Sequence, residues 1–495
     1  MRFFQNENHL TISREPGSLR ILDLKHIPQP QPNPNYDFDK NLQNLLKGKQ
    51  LLHDDLPYKP DIIHEHYENG LVTYRAGILR NGKKEVCARC GNAEARWFAK
   101  FPCYRCGETC TYCRKCLMMG RVTDCTPLLG WQENKGNEPT SENHLLAWAG
   151  TLSPGQQTAS INVIDAIRQN DELLVWAVCG AGKTEILFKG IEVALMQHKR
   201  VCIATPRTDV VLELTPRLQA AFPHTPIASL YGGSPDRHTY APLTIATTHQ
   251  LLRFYQAFDT IILDEVDAFP YTVEEALQYA VKQARKPQSA MIYLTATPNT
   301  KWQRECQQGK RNFVTIPARF HRHPLPVPQN TWCGNWQKPL QKGKLPNNIL
   351  RWTKQRLDTN KQALIFFPHI ALMEKALPIL QKHHPNIESV HAEDPNRKEK
   401  VQAMRKKETL ILLTTTILER GVTFANIDVA VVGAEDDVFT ESALVQIAGR
   451  AGRSPQYPDG NVTFFHYGKT NAMEKAKRQI LKMNREALTK GLVDA

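Results

Sequence analysis

Eight of the twelve cysteines in this 495-residue chain lie between Cys87 and Cys125, and most of them occur in C-x2-C pairs. Such a density in a reducing compartment favours metal ligation over structural disulfides. The pairs CARC (87–90) and CRKC (113–116) are separated by 22 residues, close to the spacing of tetrathiolate zinc sites, and CYRC (103–106), twelve residues beyond the first pair, is equally acceptable. An iron–sulfur cluster would use the same residue type. The spacing therefore predicts a zinc module and leaves its ligand set open.

We expect this module to bind a partner, because four thiolates fill the tetrahedral shell of Zn²⁺ and leave no position for a reactive water. Metal binding would also supply much of the folding energy of so small a unit. Basic and aromatic residues between the cysteines would suit a surface for single-stranded nucleic acid, or the aromatic rings could form a small core while the charges face solvent. The remaining cysteines are expected to be small buried hydrophobes: Cys179, Cys202, Cys306 and Cys333.

The stretch AVCGAGKTE (177–185) follows a predicted strand and precedes a predicted helix, as a phosphate-binding loop does. Gly180 and Gly182 would let backbone N–H groups turn toward phosphate oxygens, and the helix N-terminus would favour the anion. Lys183 would reach the β- and γ-phosphates and Thr184 would bind Mg²⁺. An alanine stands at the first glycine of the usual pattern, and a plain glycine turn is the alternative.

A second motif, which contains acidic residues, supports the interpretation of 177–185 as a phosphate-binding loop. IILDEVDAF (261–269) is an apolar strand that ends in two adjacent carboxylates, the arrangement by which P-loop enzymes hold the metal and orient the attacking water. Asp264 would hold Mg²⁺ and Glu265 would act on the water. Without the P-loop, a solvated strand end would be the simpler interpretation.

The C-terminal part of the chain carries two closely spaced arginines that could act on a nucleotide. In VQIAGRAGRSP (445–455), Arg450 and Arg453 are three residues apart on a predicted helix face and could enter an interdomain cleft. Arginines there would stabilise charge on a phosphoryl group in transfer, an effect on the order of a thousandfold in rate. A basic helix surface is the alternative.

The charge composition of the chain indicates which kinds of partner it binds. Lys and Arg outnumber Asp and Glu by 63 to 49, and the net charge of +14 favours a polyanion such as nucleic acid or an anionic membrane surface. No stretch has the apolar length of a membrane helix, and the first residues lack the apolar core of a signal peptide. The sequence predicts a cytoplasmic protein.

Short hydrophobic runs alternate with helix-length segments from about residue 152, which predicts a parallel sheet covered on both faces. The first series is LLVWAV, RVCIAT, LTIATT, TIILDE and MIYLTAT; after a proline- and histidine-rich connector the second is ALIFFP, ESVHAE, TLILLTTT, VAVVGAE and VTFFHY. We therefore predict two tandem doubly wound α/β domains. The predicted boundaries are a partly disordered arm over 1–75, a zinc module and linker over 76–145, and α/β domains over 146–320 and 321–495.

Taken in order, the motifs resemble those of the superfamily 2 helicases and translocases, which implies RecA-like domains and ATP with Mg²⁺. LSPGQQ is similar to the glutamine motif, CGAGKT to motif I, ATPRTDVVLEL to motif Ia, TTHQLL to the next DNA-contacting motif, DEVD to motif II, TAT to motif III, ALIFFP to motif IV, TTTILERGVTF to motif V and QIAGRAGR to motif VI. The resemblance covers about residues 150–490. It implies nucleotide contacts from Gln156, Gly180, Ala181, Gly182, Lys183, Thr184 and Glu185.

The resemblance also implies how DNA is held and coupled to the nucleotide. Short polar side chains and backbone amides would follow the strand's phosphates without reading sequence, and the candidates are Thr205, Arg207, Thr247, Thr248 and Thr415. For each threonine, packing in the sheet is the alternative. Coupling is expected from Thr295 and Thr297, and from Asp267 paired with a motif VI side chain such as Gln446.

A narrower resemblance, carried by DEVDAFPY, TTTILERGV, ALVQIAGR and the N-terminal YCRKCLMMGRV, is to the ComFA family of late-competence ATPases. It implies movement of single-stranded DNA into the cytoplasm, with competence proteins and the membrane DNA-uptake channel as partners and a peripheral position at the inner face of the membrane. A homo-oligomer is left open. The family pattern implies zinc ligation by Cys87, Cys90, Cys113 and Cys116, with Cys103, Cys106, Cys110 and Cys125 as spare thiols or an alternative set.

Two other functions remain open at this point. One is a zinc-containing helicase of replication restart or recombination, which would unwind duplex DNA. The other is a scaffold for competence proteins whose nucleotide site only switches. Single-strand-stimulated ATPase activity without appreciable duplex unwinding would favour the translocase over the helicase, whereas DNA uptake that survives Lys183→Ala would favour the scaffold.

Overall fold

The structure, a computed structural model, describes residues 1–6, 9–13, 15, 17–82, 84–132 and 145–493. Most of the predicted linker at 130–144 therefore lies outside the described residues. The chain divides into two compact units. One comprises Met1–Ala149, Val163–Leu173 and Leu187–Tyr293, and the other comprises Gly150–Asn162, Leu174–Ile186 and Leu294–Ala495.

The N-terminal segment is built from four antiparallel strand pairs and two helices. Strands β1 and β2, β3 and β8, β4 and β5, and β6 and β7 pair with one another. Its elements are β1 (Phe3–Asn6), β2 (His9–Ile12), α1 (Lys40–Leu46), α2 (Pro60–Glu68), β3 (Val72–Ala76), β4 (Ile78–Asn81), β5 (Lys84–Cys87), β6 (Phe98–Pro102), β7 (Thr109–Cys113) and β8 (Pro127–Trp131).

The described residues of the expected arm, 1–75, differ from that expectation because they share a hydrophobic core. Tyr67 of α2 stacks on Tyr74 of β3 with ring centroids 4.2 Å apart, and both side chains are buried. The core is completed by Leu129 and Trp131 of β8. These partners lie more than fifty residues further along the chain, so the local proline-rich composition could not reveal the packing.

The first α/β region forms a seven-stranded sheet in the order β11-β12-β10-β13-β14-β9-β15. The pairs β11–β12, β12–β10, β10–β13, β13–β14 and β9–β15 are parallel. Its elements are α3 (Pro154–Gln169), β9 (Glu172–Ala177), α4 (Phe188–Met196), β10 (Val201–Thr205), α5 (Thr208–Ala221), β11 (Ile227–Leu230), β12 (Leu243–Thr247), β13 (Phe258–Leu263), α6 (Glu275–Ala284), β14 (Arg285–Thr295), α7 (Thr300–Gln307) and β15 (Phe313–Ile316). All five predicted strands are present, and the short strands β11 and β15 were not predicted.

The second region forms a six-stranded, all-parallel sheet in the order β16-β21-β20-β17-β19-β18. Its elements are β16 (Gln329–Trp332), α8 (Gln337–Gln341), α9 (Asn347–Asp358), β17 (Gln362–Phe366), α10 (Ile370–Gln381), β18 (Ile387–Val390), α11 (Arg397–Arg405), β19 (Ile411–Thr414), β20 (Ile427–Val432), α12 (Glu441–Ala448), β21 (Val462–His466) and α13 (Asn471–Thr489). The central strands are buried along their whole length, as parallel strands covered on both faces must be. The predicted fold class, two parallel-sheet RecA-like domains with an N-terminal cysteine module, is confirmed.

Among the described residues, no helix combines the length and the apolar composition needed to cross a bilayer.

Candidate metal, nucleotide and DNA sites

Cys87, Cys90, Cys113 and Cys116 converge in the N-terminal module. All four are buried and their Sγ atoms lie within 4.8 Å of one another. The Sγ atoms of Cys87 and Cys116 are 3.8 Å apart, and those of Cys90 and Cys113 are 3.7 Å apart. Because Zn–S bonds are about 2.3 Å long, the edge of a tetrahedral ZnS₄ unit is about 3.8 Å. The thiols that the family pattern implied therefore have the spacing that one zinc ion requires.

This group is supported by a buried arginine and by a contact with helix α6. The guanidinium of Arg89 donates to the carbonyl of Cys116 at 2.7 Å and to its Sγ at 3.2 Å, which places positive charge against the thiolates. Gly91 closes the first knuckle with φ of 72°. A Cβ atom there would lie 2.6 Å from the ring of Tyr279 in α6. Only glycine permits both this backbone conformation and this close approach.

The four cysteines that were expected to be spare thiols also converge. Cys103, Cys106, Cys110 and Cys125 are buried, and their Sγ atoms again lie within 4.8 Å of one another. They form a group separate from the first, so they are not an alternative ligand set for the same ion. The four remaining cysteines are buried as expected.

The phosphate-binding loop follows β9. Gly180 and Gly182 have φ of 83° and 73°, conformations that place backbone N–H groups on one side of a turn and that side chains disfavour. Thr184 is buried, and Lys183 is partly exposed. The regular helix α4 begins only at Phe188, after a 3₁₀ turn at Glu185–Leu187, so helix does not start at the loop as expected.

Gln156, the expected adenine contact, is buried at the start of α3 and holds the loop in this structure. Its side-chain amide donates to the carbonyl of Ala181 at 2.9 Å, and its oxygen accepts from the N–H of Ser153 at 2.8 Å. A Cβ atom on Gly182 would lie 2.3 Å from this amide. The glutamine motif and the loop therefore form one hydrogen-bonded structure.

Within the same compact unit, the loop contacts α12 and the motif VI segment that follows it. The Cys179 thiol donates to the side-chain oxygen of Gln446 at 3.0 Å, and a Cβ atom on Gly449 would lie 2.4 Å from Cys179 Cβ. The family resemblance implied that Gln446 pairs with Asp267, and that pairing stays a prediction.

Arg319 joins the loop to motif VI and was missed by sequence reasoning. Its side chain packs under Gly180, whose Cβ position would lie 3.5 Å from Arg319 Cγ, and its guanidinium donates to the carbonyl of Ala451 at 2.7 Å and to that of Gly452. Burial, with a smaller effect of the nearby Arg453 charge, lowers the pKa of Arg319 to about 10. The side chain is thus still charged at neutral pH. In the sequence, Arg319 is one of the basic residues of the connector and belongs to no motif.

The two arginines of motif VI lie beyond the helix, because α12 ends at Ala448. Gly449 caps the helix, and Gly452, four residues after Ala448, has φ of 66°. Arg450 is buried and donates to the carbonyl of Glu419 at 2.9 Å and to that of Val422. Arg453 is partly exposed and donates to the carbonyl of Gly449 at 2.9 Å. The expected common helix face is therefore absent, and the two side chains have different partners.

Motif III reaches α12 and α13 inside this unit. The hydroxyls of Thr297 and Ser442 in α12 are 2.7 Å apart, and the N–H of Thr297 donates to the hydroxyl of Thr295 at 2.9 Å. Between them, the carbonyl of Ala296 accepts from the side-chain amide of Gln479 in α13 at 2.8 Å. These bonds join motif III to α12, which carries the start of motif VI, and coupling through them stays a prediction.

In the other compact unit, the acidic motif lies at the carboxyl edge of the sheet. The N–H of Asp264, directly after β13, donates to the carbonyl of Ala204 in β10 at 2.8 Å, and Asp264 and Glu265 are both partly exposed. Glu265 adopts a φ of 53°, and its N–H donates to the Asp264 carboxylate at 2.8 Å. Asp267 follows in the same loop and is also partly exposed.

Two DNA-contact candidates share this edge, since Thr205 of β10 pairs with Thr247 of β12 in register. Both side chains are buried, as is that of Thr248, so a contact from these positions would use backbone atoms. Arg207 forms an ion pair with Asp209 at 2.7 Å. The remaining candidate lies in the second compact unit, where it is buried at the start of a 3₁₀ turn after β19: Thr415.

Three family descriptions match the chain. "Competence protein ComFA N-terminal domain" matches residues 33–130, "Type III restriction enzyme, res subunit" matches 150–300, and "Helicase conserved C-terminal domain" matches 344–455. The first match contains all eight clustered cysteines, and the other two contain the motifs of the α/β domains.

Curated relatives agree with these matches. The chain is 49% identical over 447 residues to the competence protein ComFA of Bacillus subtilis (strain 168), which covers 90% of this chain and 96% of the relative. It is 39% identical over 423 residues to the protein of the same name from Streptococcus pneumoniae (strain ATCC BAA-255 / R6), covering 85% and 95%. A more distant relative is replication restart protein PriA of Haemophilus influenzae, 27% identical over 265 residues, covering 50% of this chain and 34% of that protein.

Solved structures reproduce the fold at low sequence identity. S. cerevisiae Dbp5 bound to RNA and ADP BeF3 superposes with a TM-score of 0.50 at 14% identity, and its L327V form with a TM-score of 0.51 at 14% identity. Each covers 70% of this chain and 94% of the matched chain. At this identity the likeness shows the helicase fold alone.

Proposed function

The chain belongs to the ComFA family of competence proteins, and from this premise we propose that it is an ATP-dependent translocase that draws single-stranded DNA into the cytoplasm during natural transformation. The family and the fold make it a competence-associated protein of the helicase/ATPase type. One observation carries the finer proposal: the phosphate-binding loop is bonded to motif VI through Cys179 and Gln446. A change in the nucleotide would alter these bonds directly.

The loop fits a nucleotide. Gly180 and Gly182 hold left-handed conformations, which would turn backbone N–H groups toward phosphate oxygens, and a Cβ atom on Gly182 would collide with the side-chain amide of Gln156. Lys183 would bind the β- and γ-phosphates. Gln156 would exchange its bond to the Ala181 carbonyl for one to the base. Ala181 and Glu185 complete the nucleotide contacts that the family pattern assigns.

ATP hydrolysis would depend on residues that bind the metal ion, orient the attacking water and stabilise the developing charge. Thr184 and Asp264 would hold Mg²⁺, which neutralises charge on the phosphate oxygens. Glu265 would orient a water for attack on the γ-phosphorus and accept its proton, while the bond to the β–γ bridging oxygen breaks to give ADP and phosphate. Arg453 would stabilise the charge that develops, and Arg450 would position motif V.

Coupling to DNA would use the same segments. Loss of the γ-phosphate would release Arg453 and shift α12, and the hydroxyl contact of Thr297 with Ser442 would transmit that shift to motif III. Thr205, Arg207, Thr247, Thr248 and Thr415 are the proposed DNA contacts. Grips on the backbone that alternate in two domains would move a strand without reading its sequence.

We propose zinc as a resident ion of the N-terminal module, because the sulfur spacing of the first cysteine group fits ZnS₄. Four thiolates leave no open position, so the ion would hold the module's shape and take no part in hydrolysis. Competence proteins and the DNA-uptake channel are the proposed partners, with the protein peripheral to the membrane. The net charge of +14 suits both an anionic membrane surface and DNA.

A second candidate is a zinc-containing helicase of replication restart, which the partial match to PriA favours. A translocation assay separates the two. Purified protein and ATP are mixed with an end-biotinylated single strand that carries streptavidin, and separately with a forked duplex. We expect streptavidin displacement with little fork unwinding.

Lys183→Ala serves as the inactive control in this assay and should abolish displacement. Efficient fork unwinding without displacement would replace the translocase with the helicase. Normal DNA uptake in cells that carry Lys183→Ala would instead favour the nucleotide-switched scaffold.

A further inference from the structure

We propose that this chain holds a second zinc ion, in a tetrathiolate site formed by Cys103, Cys106, Cys110 and Cys125. The four side chains are buried and their Sγ atoms lie within 4.8 Å of one another. The Sγ atoms of Cys103 and Cys125 are 3.6 Å apart and those of Cys106 and Cys110 are 3.1 Å apart. The first distance is close to the edge of about 3.8 Å expected for ZnS₄, and the second requires a small opening. The inference is independent of the proposed motor activity.

The loop at Cys103 repeats the knuckle at Cys87 bond for bond. The N–H of Gly107 donates to the carbonyl of Cys103 at 2.9 Å, and the N–H of Gly91 donates to that of Cys87 at 2.8 Å. The two glycines have φ of 74° and 72°. The N–H of Cys103 donates to the carbonyl of Glu108, five residues on, at 2.8 Å, and the first knuckle makes the same bond at the same spacing at 2.9 Å. Because the two loops share the same backbone conformation, we expect their cysteine side chains to have the same orientation.

The second group has only a small hydrophobic core around it. Its core consists of the four thiols, with Phe101 packed against them and no buried aliphatic side chain. Thiols alone stabilise so small a core weakly, whereas a structural zinc ion contributes folding energy directly.

The two groups are separate because they lie on opposite faces of one hairpin. Cys110 and Cys113 both belong to β7. Side chains alternate along a strand, so residues an odd number apart face opposite sides. Cys110 pairs with Phe101 and Cys113 with Phe98 across the hairpin β6–β7. One strand therefore supplies one ligand to each site.

The second site lies where the start of the chain attaches to the module. Arg2 donates to Glu108, beside the second knuckle, at 2.6 Å. Arg20 forms an ion pair at 3.3 Å with Asp124, the residue before Cys125. The Asp124 carboxylate also accepts from the N–H of Thr111 in β7 at 3.0 Å. The first ion would thus fix the knuckle that packs on α6, and the second would fix the attachment of the N-terminal strands.

Four clustered thiols could instead form disulfides or bind an iron–sulfur cluster, and the test distinguishes both from a zinc site. Disulfides would remove four of the twelve thiols. An iron–sulfur cluster would spread its thiolates over several iron atoms, farther apart than around one ion.

The test is the metal content of the full-length protein, purified with a thiol reductant and without added metal. We expect two zinc ions per chain in the wild type, one in Cys106→Ser/Cys110→Ser and one in Cys90→Ser/Cys116→Ser. The control Cys306→Ser, which changes a cysteine outside both groups, should keep two. One zinc ion in the wild type would overturn the proposal, as would iron at the second group or two ions in Cys106→Ser/Cys110→Ser.

A second measurement on the wild type does not depend on the folding of a variant. Thiols are alkylated with and without a strong chelator and mapped by mass spectrometry. We expect all eight clustered cysteines to become reactive only after chelation. Reactivity of Cys103, Cys106, Cys110 and Cys125 that does not change with the chelator, or a mass that shows them paired, would contradict a second zinc site.

Discussion

Arg450 and Arg453 are three residues apart, yet their guanidinium groups have different partners. Substitutions of the two residues should therefore have different effects. Arg450 is buried against the carbonyls of Glu419 and Val422 in motif V. Arg453 is partly exposed, and its charge acts on Arg319, which packs against the phosphate-binding loop. We therefore propose that Arg453 acts on the phosphate and that Arg450 holds motif V in position.

Arg453→Gln should lower the rate of ATP hydrolysis on the order of a thousandfold, because it removes a charge that stabilises the transition state. Its unfolding temperature should stay close to that of the wild type, since a partly exposed side chain is lost. Steady-state ATPase rates and thermal unfolding measure both effects.

Arg450→Gln is the matched comparison. It should destabilise the protein by about 1–3 kcal/mol, because it leaves buried carbonyls without a donor. If Arg453→Gln hydrolysed ATP at the wild-type rate, the assignment of Arg453 would be wrong.

The N-terminal segment is hydrogen-bonded to the turn that follows β12. The side-chain amide of Gln50 donates to the carbonyls of Leu252 and Phe254 at 3.2 and 3.1 Å, and its N–H donates to the carbonyl of Arg253 at 2.7 Å. This turn carries TTHQLLR, a predicted DNA-contacting segment. The cysteine module and strands β10 to β13 are thus parts of one compact unit.

Lys49 lies in this junction and is almost fully buried. Burial, and then the charges of Arg200 and Arg253, lower its pKa to about 7 from 10.5. Between these values the unfolded chain binds a proton that the folded chain does not, so this group makes stability rise with pH from about 7 to about 10. Below about 7 both states are protonated and the contribution is constant.

Lys49→Met removes this dependence. In urea unfolding at pH 6, 7 and 9, the stability of the wild type relative to the variant should be constant between pH 6 and 7 and should rise by pH 9. A difference that stays constant across the range would show that Lys49 is charged in the folded protein at pH 9.

For the whole molecule, the sequence predicted the parts whose signals are local. β10 and β13 appear as continuous apolar runs, and Lys183, Asp264 and Arg453 lie in motifs whose spacing is fixed by a turn or strand end. The expected zinc ligands Cys87, Cys90, Cys113 and Cys116 lie together as the family pattern implied.

The sequence could not predict features that depend on distant partners. Tyr67 meets Trp131 and its neighbours only after the chain has folded back, so residues 1–75 looked like an arm. Arg319 joins two motifs from a connector that has no motif of its own. Cys125 completes a second thiol group from outside any C-x2-C pair, and only the fold shows that it does so.

If nucleotide hydrolysis drives movement along single-stranded DNA, the ATPase rate must respond to DNA. Purified wild type and Glu265→Gln are assayed with ATP and Mg²⁺, alone and with saturating unstructured single strands. We predict that DNA raises the wild-type rate at least tenfold, by roughly the 1.4 kcal/mol that a tenfold change represents, and that Glu265→Gln stays inactive in both conditions. A wild-type rate that single-stranded DNA leaves unchanged would show that the protein is not a motor driven along single-stranded DNA.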